Sequence, residues 1–308
     1  MGDRTPSAVE SEAAVSSNSE VSLDGAGVYH YVPPQALSTL KRVVIAAAIG
    51  AVVLFYLFPI YWMISSSLKG ISSLSLPATY FPTEITFSSY RQVLFESRFP
   101  TFYWNSVIVA IATMTISVVT SVLAGYGLAR LTFPYKKTFA RSILFGYMFP
   151  PVLLGIPIFM IWDRLNLINT RSGLVLAQLA IILPFSTWIM WKFFLSIDES
   201  YEEAAWLCGY SRPRAFFEVA LPHAKPGVIA IAIWAFGMSW NDFTFALLLL
   251  SDLQVQTLPI GILAFLEQNT IFWGQMMAAV SLISIPPFVV VFTLQSYVLK
   301  GFSVGGMS

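Results

Sequence analysis

The chain has 308 residues, with 17 Lys and Arg, 16 Asp and Glu and one cysteine; 56% is apolar and 11% charged. A soluble domain carries roughly 25% charged residues, and a folded chain of about 300 residues keeps about a quarter of its unfolded surface in water, so a soluble single domain is excluded. A formal net charge of +1 lacks the Lys/Arg excess that phosphate binding demands, and Cys208 alone excludes a disulfide framework or a cysteine zinc cage.

Residues 1–38 are rich in Ser and scattered Glu, carry Pro6, Pro33 and Pro34, and lack a sustained apolar period. They are expected to form a disordered cytosolic tail, with a regulatory docking role as the alternative. No basic start is followed at once by an apolar core, so a signal peptide is not expected, and Pro6 spoils the myristoylation pattern that Met1-Gly2 begins.

From residue 39 onward the gaps between charges define the elements. The runs 43–68, 99–129, 142–162, 172–191, 226–250 (interrupted by Asp242) and 274–299 are otherwise free of Asp, Glu, Lys and Arg. Each holds the roughly 20 residues needed to cross hydrocarbon, which predicts an all-α polytopic protein with six transmembrane helices. With the N-terminus inside, the cytoplasmic side receives Lys41, Arg42, Arg130, Lys136, Lys137, Arg141, Lys192, Arg212, Arg214, Lys225 and Lys300. The other side receives Lys69, Arg91, Arg98, Arg164 and Arg171. The excess of cytoplasmic positive charge places both termini in the cytoplasm.

Pro59, Pro150, Pro151, Pro157, Pro184, Pro286 and Pro287 fall within the spans and predict kinks or breaks at bilayer depth, where unwound backbone faces protein or a water-filled path. Aromatics such as Trp62, Trp104, Trp162, Trp188, Trp234 and Trp273 fit an interfacial belt near span ends; the deeper ones could alternatively stack on sugar rings. In Trp240-Asn241-Asp242-Phe243 a carboxylate lies inside the fifth span. Such an acid either lines a translocation pathway, making Trp240, Asn241 and Asp242 candidate pathway residues, or serves the architecture of a helix break.

The connection 197–225 between the fourth and fifth spans is patterned as a helix, a turn and a helix. Ser196 with Glu199 three residues on fits a capping box, acids crowd the first turns, and Gly209 provides a stop. Ser211 is placed to cap a second helix, with Pro213 in its first turn and Pro222 after its end. Ala204 and Ala205 give the first helix a strip of small side chains that another protein's backbone can approach; the alternative is an amphipathic loop lying on the headgroups.

The string Glu203-Ala204-Ala205, then Gly209, Val219 and Leu221-Pro222 resembles the EAA loop of importer permeases in ATP-binding-cassette systems. The resemblance runs from about residue 43 across nearly the whole chain and is strongest to the maltose-type carbohydrate subfamily. It includes Tyr126-Gly127-Leu128-Ala129-Arg130, Phe133-Pro134, Phe149-Pro150-Pro151, Leu165 to Thr170, Leu183-Pro184-Phe185, Trp240 to Phe243 and Thr257 to Gly261.

The resemblance implies a type I importer permease whose coupling helix fits a groove on a cytoplasmic ATPase. Glu203, Ala204, Ala205 and Gly209 would be the coupling positions, with Leu221 and Pro222 anchoring the loop's exit. Cys208 stands where the family usually has Asp, and Tyr210 where it has Ala, which implies a partner groove of different shape. The implied partners are a second similar permease, two ATPase subunits and an extracytoplasmic solute-binding protein. Thr257, Leu258 and Pro259, in the outer connection from Ser251 to Trp273 that also holds Glu267, would approach the binding protein, and the tail Gly301 to Ser308 resembles the family's cytoplasmic end.

No Walker-type phosphate loop is present, so ATP and magnesium belong to the partner ATPase, and no cofactor is expected on this chain. His30 and His223 do not form a metal-spaced cluster. No acid, base or metal constellation marks a membrane enzyme, which makes the expected activity transport. A sugar or oligosaccharide is the expected solute, with glycerol-phosphate-like or other small polar solutes as the alternative; an ATP-independent secondary transporter is the rival mechanism.

Overall fold

The computed structural model describes residues 22–23, 29–30, 34–69, 80–82, 84–265 and 273–305. Most of the expected tail, Glu267 and the last three residues of the chain lie outside these. Within the tail region β1 (Ser22–Leu23) pairs antiparallel with β2 (Tyr29–His30), and α1 (Pro34–Ser67) begins ahead of the boundary expected at residue 39. The chain divides into two compact units, 1–62 and 63–308. In the first, α1 runs through Pro59, and Phe58 stacks on Trp62 with ring centres 6.2 Å apart.

The second unit is helical. After α2 (Ser88–Arg91) and a π turn (Gln92–Glu96) it is built on α3 (Phe99–Arg130), followed by α4 (Lys136–Tyr147), α5 (Pro151–Arg164) and α6 (Arg171–Leu195). Then come α7 (Ser200–Leu207), α8 (Arg212–Ala215), a π turn (Phe216–Ala220), α9 (Leu221–His223), α10 (Lys225–Trp240), α11 (Thr244–Leu249), α12 (Leu258–Gly261) and α13 (Trp273–Gly305).

Helix α3 is the axis of this unit because its sequence repeats a small residue every fourth position: Thr113, Ser117, Ser121, Gly125 and Ala129. That spacing puts them on one face, and small residues allow a neighbouring backbone to approach. The neighbour is α6. Thr113 Oγ1 donates to Gln178 Oε1 (3.0 Å), Ser117 Oγ to Ser186 Oγ (3.3 Å) and Thr187 Oγ1 to Ser121 Oγ (3.4 Å), all buried. At Gly125 the approach is closest: a Cβ there would lie 2.6 Å from Met190 Cβ and 2.8 Å from the Trp191 backbone nitrogen. Three apolar clusters surround α3, one with Leu174 and Phe245, one with Met190 and Phe216, and one with Phe236, Leu258 and Ala278.

Four helical stretches are long and apolar enough to cross a membrane: Lys41–Ser67, Phe99–Arg130, Arg171–Leu195 and Trp273–Leu294. Two bent pairs raise the number to as many as six. The chain is a multi-pass membrane protein, and two of the expected continuous runs are broken. The run 142–162 is split between α4 and α5, which meet at 93°. Pro150 adopts φ −58°, ψ 133°, the extended conformation favoured for a residue that precedes proline, and the helix restarts at Pro151. The run 226–250 stops at Trp240 and resumes at Thr244, and α10 meets the preceding helical stretch Arg212–His223 at 73°. Of the prolines expected to kink or break the spans, Pro150 and Pro151 stand at a break, whereas Pro59, Pro157, Pro184, Pro286 and Pro287 lie inside helices.

Candidate functional site

The helix α7 is shaped by its ends. The expected capping box does not form: Ser196 closes α6, its hydroxyl donating to the Phe193 carbonyl (2.7 Å), and Asp198 takes over at the start of α7 by accepting from the Ser200 N–H (2.9 Å). That backbone hydrogen bond holds the Asp198 carboxyl below its ordinary value. At the other end Gly209 has φ +86°; its N–H reaches the Trp206 carbonyl (2.9 Å), and the Tyr210 N–H reaches Ala205 (3.0 Å). These two bonds form a Schellman stop, which needs a left-handed residue.

The second half of the loop also departs from expectation. Ser211 stands at the cap position of α8 without a side-chain cap hydrogen bond. Pro222 lies within the helical stretch Arg212–His223, preceded by the π turn Phe216–Ala220 in which the Leu221 N–H reaches back to Phe216. A proline cannot donate and crowds the turn before it, and a widened turn accommodates both.

Glu203, Ala204 and Gly209 are exposed, Ala205 is half-buried, and Leu207 at the end of α7 is 91% exposed. Leu221 packs at the edge of the cluster around Phe216, and Pro222 is exposed. Glu202 points the other way and is 1% exposed. Its Oε1 accepts from Arg130 Nε (2.7 Å) and its Oε2 from Tyr126 Oη (2.6 Å). Arg130 also donates to the carbonyls of Phe194 (3.0 Å) and Ile197 (3.1 Å) at the end of α6. Sequence reading gave Glu202 no role; its partners Tyr126 and Arg130 lie about 70 residues away, and nothing local separates it from Glu203.

A second site lies at the break between α10 and α11. A cavity of about 550 Å³ is bounded there by Pro151, Gln178, Trp234, Asn241, Asp242 and Thr244 among others. Asp242 Oδ2 accepts from Gln178 Nε2 (2.9 Å), whose Oε1 accepts from Ser239 Oγ (2.6 Å) and Thr113, while Asp242 Oδ1 accepts from the Phe245 N–H (3.2 Å). The acid therefore both borders the cavity and caps the restarted helix. Asn241 lines the cavity and donates to the Gly237 carbonyl (2.9 Å). Trp240 is placed apart from it, buried against Phe236 (5.5 Å) and Tyr103 (6.1 Å). Trp234 joins Phe185 (4.9 Å) and Tyr147 (6.4 Å) beside the cavity, and among the described residues no acceptor meets its buried Nε1. No lysine, arginine or histidine is among the residues that bound this cavity. Gln178 was not singled out in the sequence, where nothing separates it from other polar residues in the spans.

The loop 250–258 is pinned from beneath. Asn105 Nδ2 donates to the carbonyls of Gln254 (2.9 Å) and Gln256 (2.8 Å), Ser106 Oγ accepts from the Leu258 N–H (2.7 Å), and Asn169 Oδ1 accepts from the N–H groups of Ser251 (2.6 Å) and Asp252 (3.0 Å). Thr257 and Leu258, expected to face a binding protein, are turned inward against α3, and Pro259 is half-buried. The outward face belongs to Ser251, Asp252, Leu253 and Gln254. Among the described residues no three of His, Cys, Asp and Glu converge as a metal site.

Two relatives align over most of their lengths. The sulfoquinovosyl glycerol transport system permease protein SmoH of Agrobacterium fabrum is 34% identical over 82% of this chain and 88% of its own. The trehalose transport system permease protein SugB of Mycobacterium tuberculosis is 32% identical over 87% and 98%. A chain in the crystal structure of a bacterial ABC transporter that imports the acidic polysaccharide alginate superposes with a TM-score of 0.75, covering 87% of this chain and 99% of that one at 23% identity, so the fold is that of an ABC importer permease. These proteins are transport components rather than enzymes. Residues 117–304, which contain α7, the cavity and the pinned loop, match the model of the binding-protein-dependent transport system inner membrane component. The chain belongs to that family.

Proposed function

We propose that this chain is one permease half of an ATP-driven, binding-protein-dependent importer of a neutral sugar or oligosaccharide. The observation that carries the reading is α7: a capped helix whose Glu203, Ala204 and Leu207 stand free while its opposite side is anchored to α3 and α6. An exposed, rigidly seated helix suits docking into a groove on an ATPase. In this reading Glu203, Ala204, Ala205 and Gly209 couple to the ATPase, Leu221 and Pro222 hold the loop's exit, and ATP and magnesium are bound by two partner subunits. The permease domain, 39–308, has six spans with α7 between the fourth and fifth, both termini and the tail 1–38 in the cytoplasm of a prokaryotic cell.

A second, similar permease completes the pathway. Asn241 and Asp242 line it, with Trp240 as a packing support. An extracytoplasmic binding protein docks over the pinned loop, where Thr257, Leu258 and Pro259 shape the surface from below. Nucleotide-driven closure of the ATPases moves the coupling helices, and the membrane cavity alternates its opening.

The choice of a neutral solute rests on charge. The cavity has a volume typical of small-molecule sites and presents a carboxylate with no cation in its lining, an arrangement that repels phosphate, sulfonate or uronate and accepts hydroxyl donors. SugB, whose name specifies trehalose, favours this class; the alginate transporter favours the acidic alternative. The test is uptake into proteoliposomes holding this chain, its partner permease, both ATPases and the binding protein. ATP-dependent accumulation of labelled trehalose or another neutral oligosaccharide, reduced severalfold by Asp242→Asn, is expected. Preferred uptake of glycerol phosphate or an oligouronate would overturn the charge argument, and uptake that survives inactivation of the ATPases would overturn the importer reading.

A further inference from the structure

The geometry points to Glu202, Arg130 and Tyr126 as a rigid clamp that transmits displacement of α7 to the end of α3. The inference rests on the coupling reading of α7 and adds a route for the force. Along the chain α7 is joined to α6 on one side and to α8 on the other, and α3 ends about 70 residues earlier. Through space it is tied to α3 by a fully buried carboxylate with a charge-assisted bond on each oxygen, to Arg130 at 2.7 Å and Tyr126 at 2.6 Å. The guanidinium also donates to the carbonyl of Phe194 in the last turn of α6 and to that of Ile197 just beyond it, and stands 3.6 Å from Glu199. One side chain therefore joins the ends of α3 and α6 and the start of α7.

Packing reinforces this joint. The Tyr126 ring lies 4.6 Å from Phe216 and 5.4 Å from Phe194, so the second half of the loop bears on the same ring that holds Glu202. A buried carboxylate held on one oxygen by Arg130 and on the other by Tyr126 has few alternative geometries, so α7 cannot shift against α3 without breaking a charge-assisted bond in a buried site. Chain connectivity alone would move α6 and α10; the clamp adds α3, which carries Thr113 of the hydroxyl network around Gln178 and Asp242. Glu202, Arg130 and Tyr126 are positioning residues, distinct from Glu203 and Ala204 at the exposed face.

The test uses the assembled complex with its ATPases. In a Cys208→Ser background, spin labels at Ser200→Cys and Leu131→Cys, both exposed positions, report the separation of α7 from the end of α3. With the clamp intact, one narrow distance is expected, unchanged between the nucleotide-free complex and the complex trapped with ATP and vanadate. Glu202→Gln should broaden it and let it shift by several ångström on trapping, while Arg130→Lys and Tyr126→Phe, which retain one bond each, should broaden it less. A wild-type distance that changes on trapping, or a Glu202→Gln complex as narrow as wild type, would overturn the clamp. The coupling reading fails on a different result: an Ala204→Trp complex that still binds its ATPases with unaltered hydrolysis.

Discussion

Substituting Gly125 by alanine places a methyl group where Met190 Cβ would be 2.6 Å away and the Trp191 nitrogen 2.8 Å away. Ordinary carbon contacts need about 3.5–4.0 Å, so α3 and α6 must part by about 1 Å, and the obstacle is α6 backbone, which cannot rotate aside. Overpacking of this kind costs about 1–3 kcal/mol. Separation also lengthens the Ser117–Ser186 and Ser121–Thr187 bonds, already 3.3 Å and 3.4 Å, at about 0.6 kcal/mol each. Against this, alanine in a helix gains about 0.5–1 kcal/mol over glycine. The expected net loss is about 2 kcal/mol. Gly237→Ala is the control: it has nothing within 4 Å of the new Cβ, so the helix gain stands alone. Thermal unfolding of the detergent-solubilised chain, followed by circular dichroism, should show a Tm several degrees lower for Gly125→Ala and unchanged or higher for Gly237→Ala. A Tm that rises for both would refute the close approach of the two helices.

Three further outcomes follow from the loops. Within this chain a Cβ at Gly209 meets nothing within 4 Å, so the fold itself asks only for a left-handed backbone there. Gly209→Asn should leave ATPase binding and coupling near wild type, whereas Gly209→Val should cost about 1–2 kcal/mol of local stability and uncouple hydrolysis from transport, read as ATP consumed per solute moved. The folded value of Asp198 is depressed, so its contribution to α7 is full above the ordinary value of 3.8 and is lost as pH falls through the folded value. The protection factor of the Ser200 amide, its intrinsic exchange rate divided by the observed rate at each pH, should be steady at neutral pH and fall only below that range, and Asp198→Asn should flatten the profile. Asn169→Ala removes the acceptor shared by Ser251 and Asp252 and should raise amide exchange across 250–256 severalfold while leaving α6 protected.

The sequence by itself determined the membrane setting, the apolar runs and the outline of the helical loop between α6 and α10. Charge gaps, glycine at a stop and a small-residue strip are local patterns that act through solvation and backbone conformation. The Asp242 pairing, the burial of Thr257 and Leu258, and the clamp on Glu202 depended on distant partners. Glu202 and Glu203 are identical in local chemistry, yet one is sealed against Arg130 and Tyr126 and the other stands free. Likewise Pro150-Pro151 and Pro286-Pro287 are the same dipeptide, one dividing two helices and the other inside a single one. Propensity sets the cost of a conformation; which residue bears it is decided by the packing of α3, α6 and α7, because buried charges and close helix contacts are satisfied only in three dimensions.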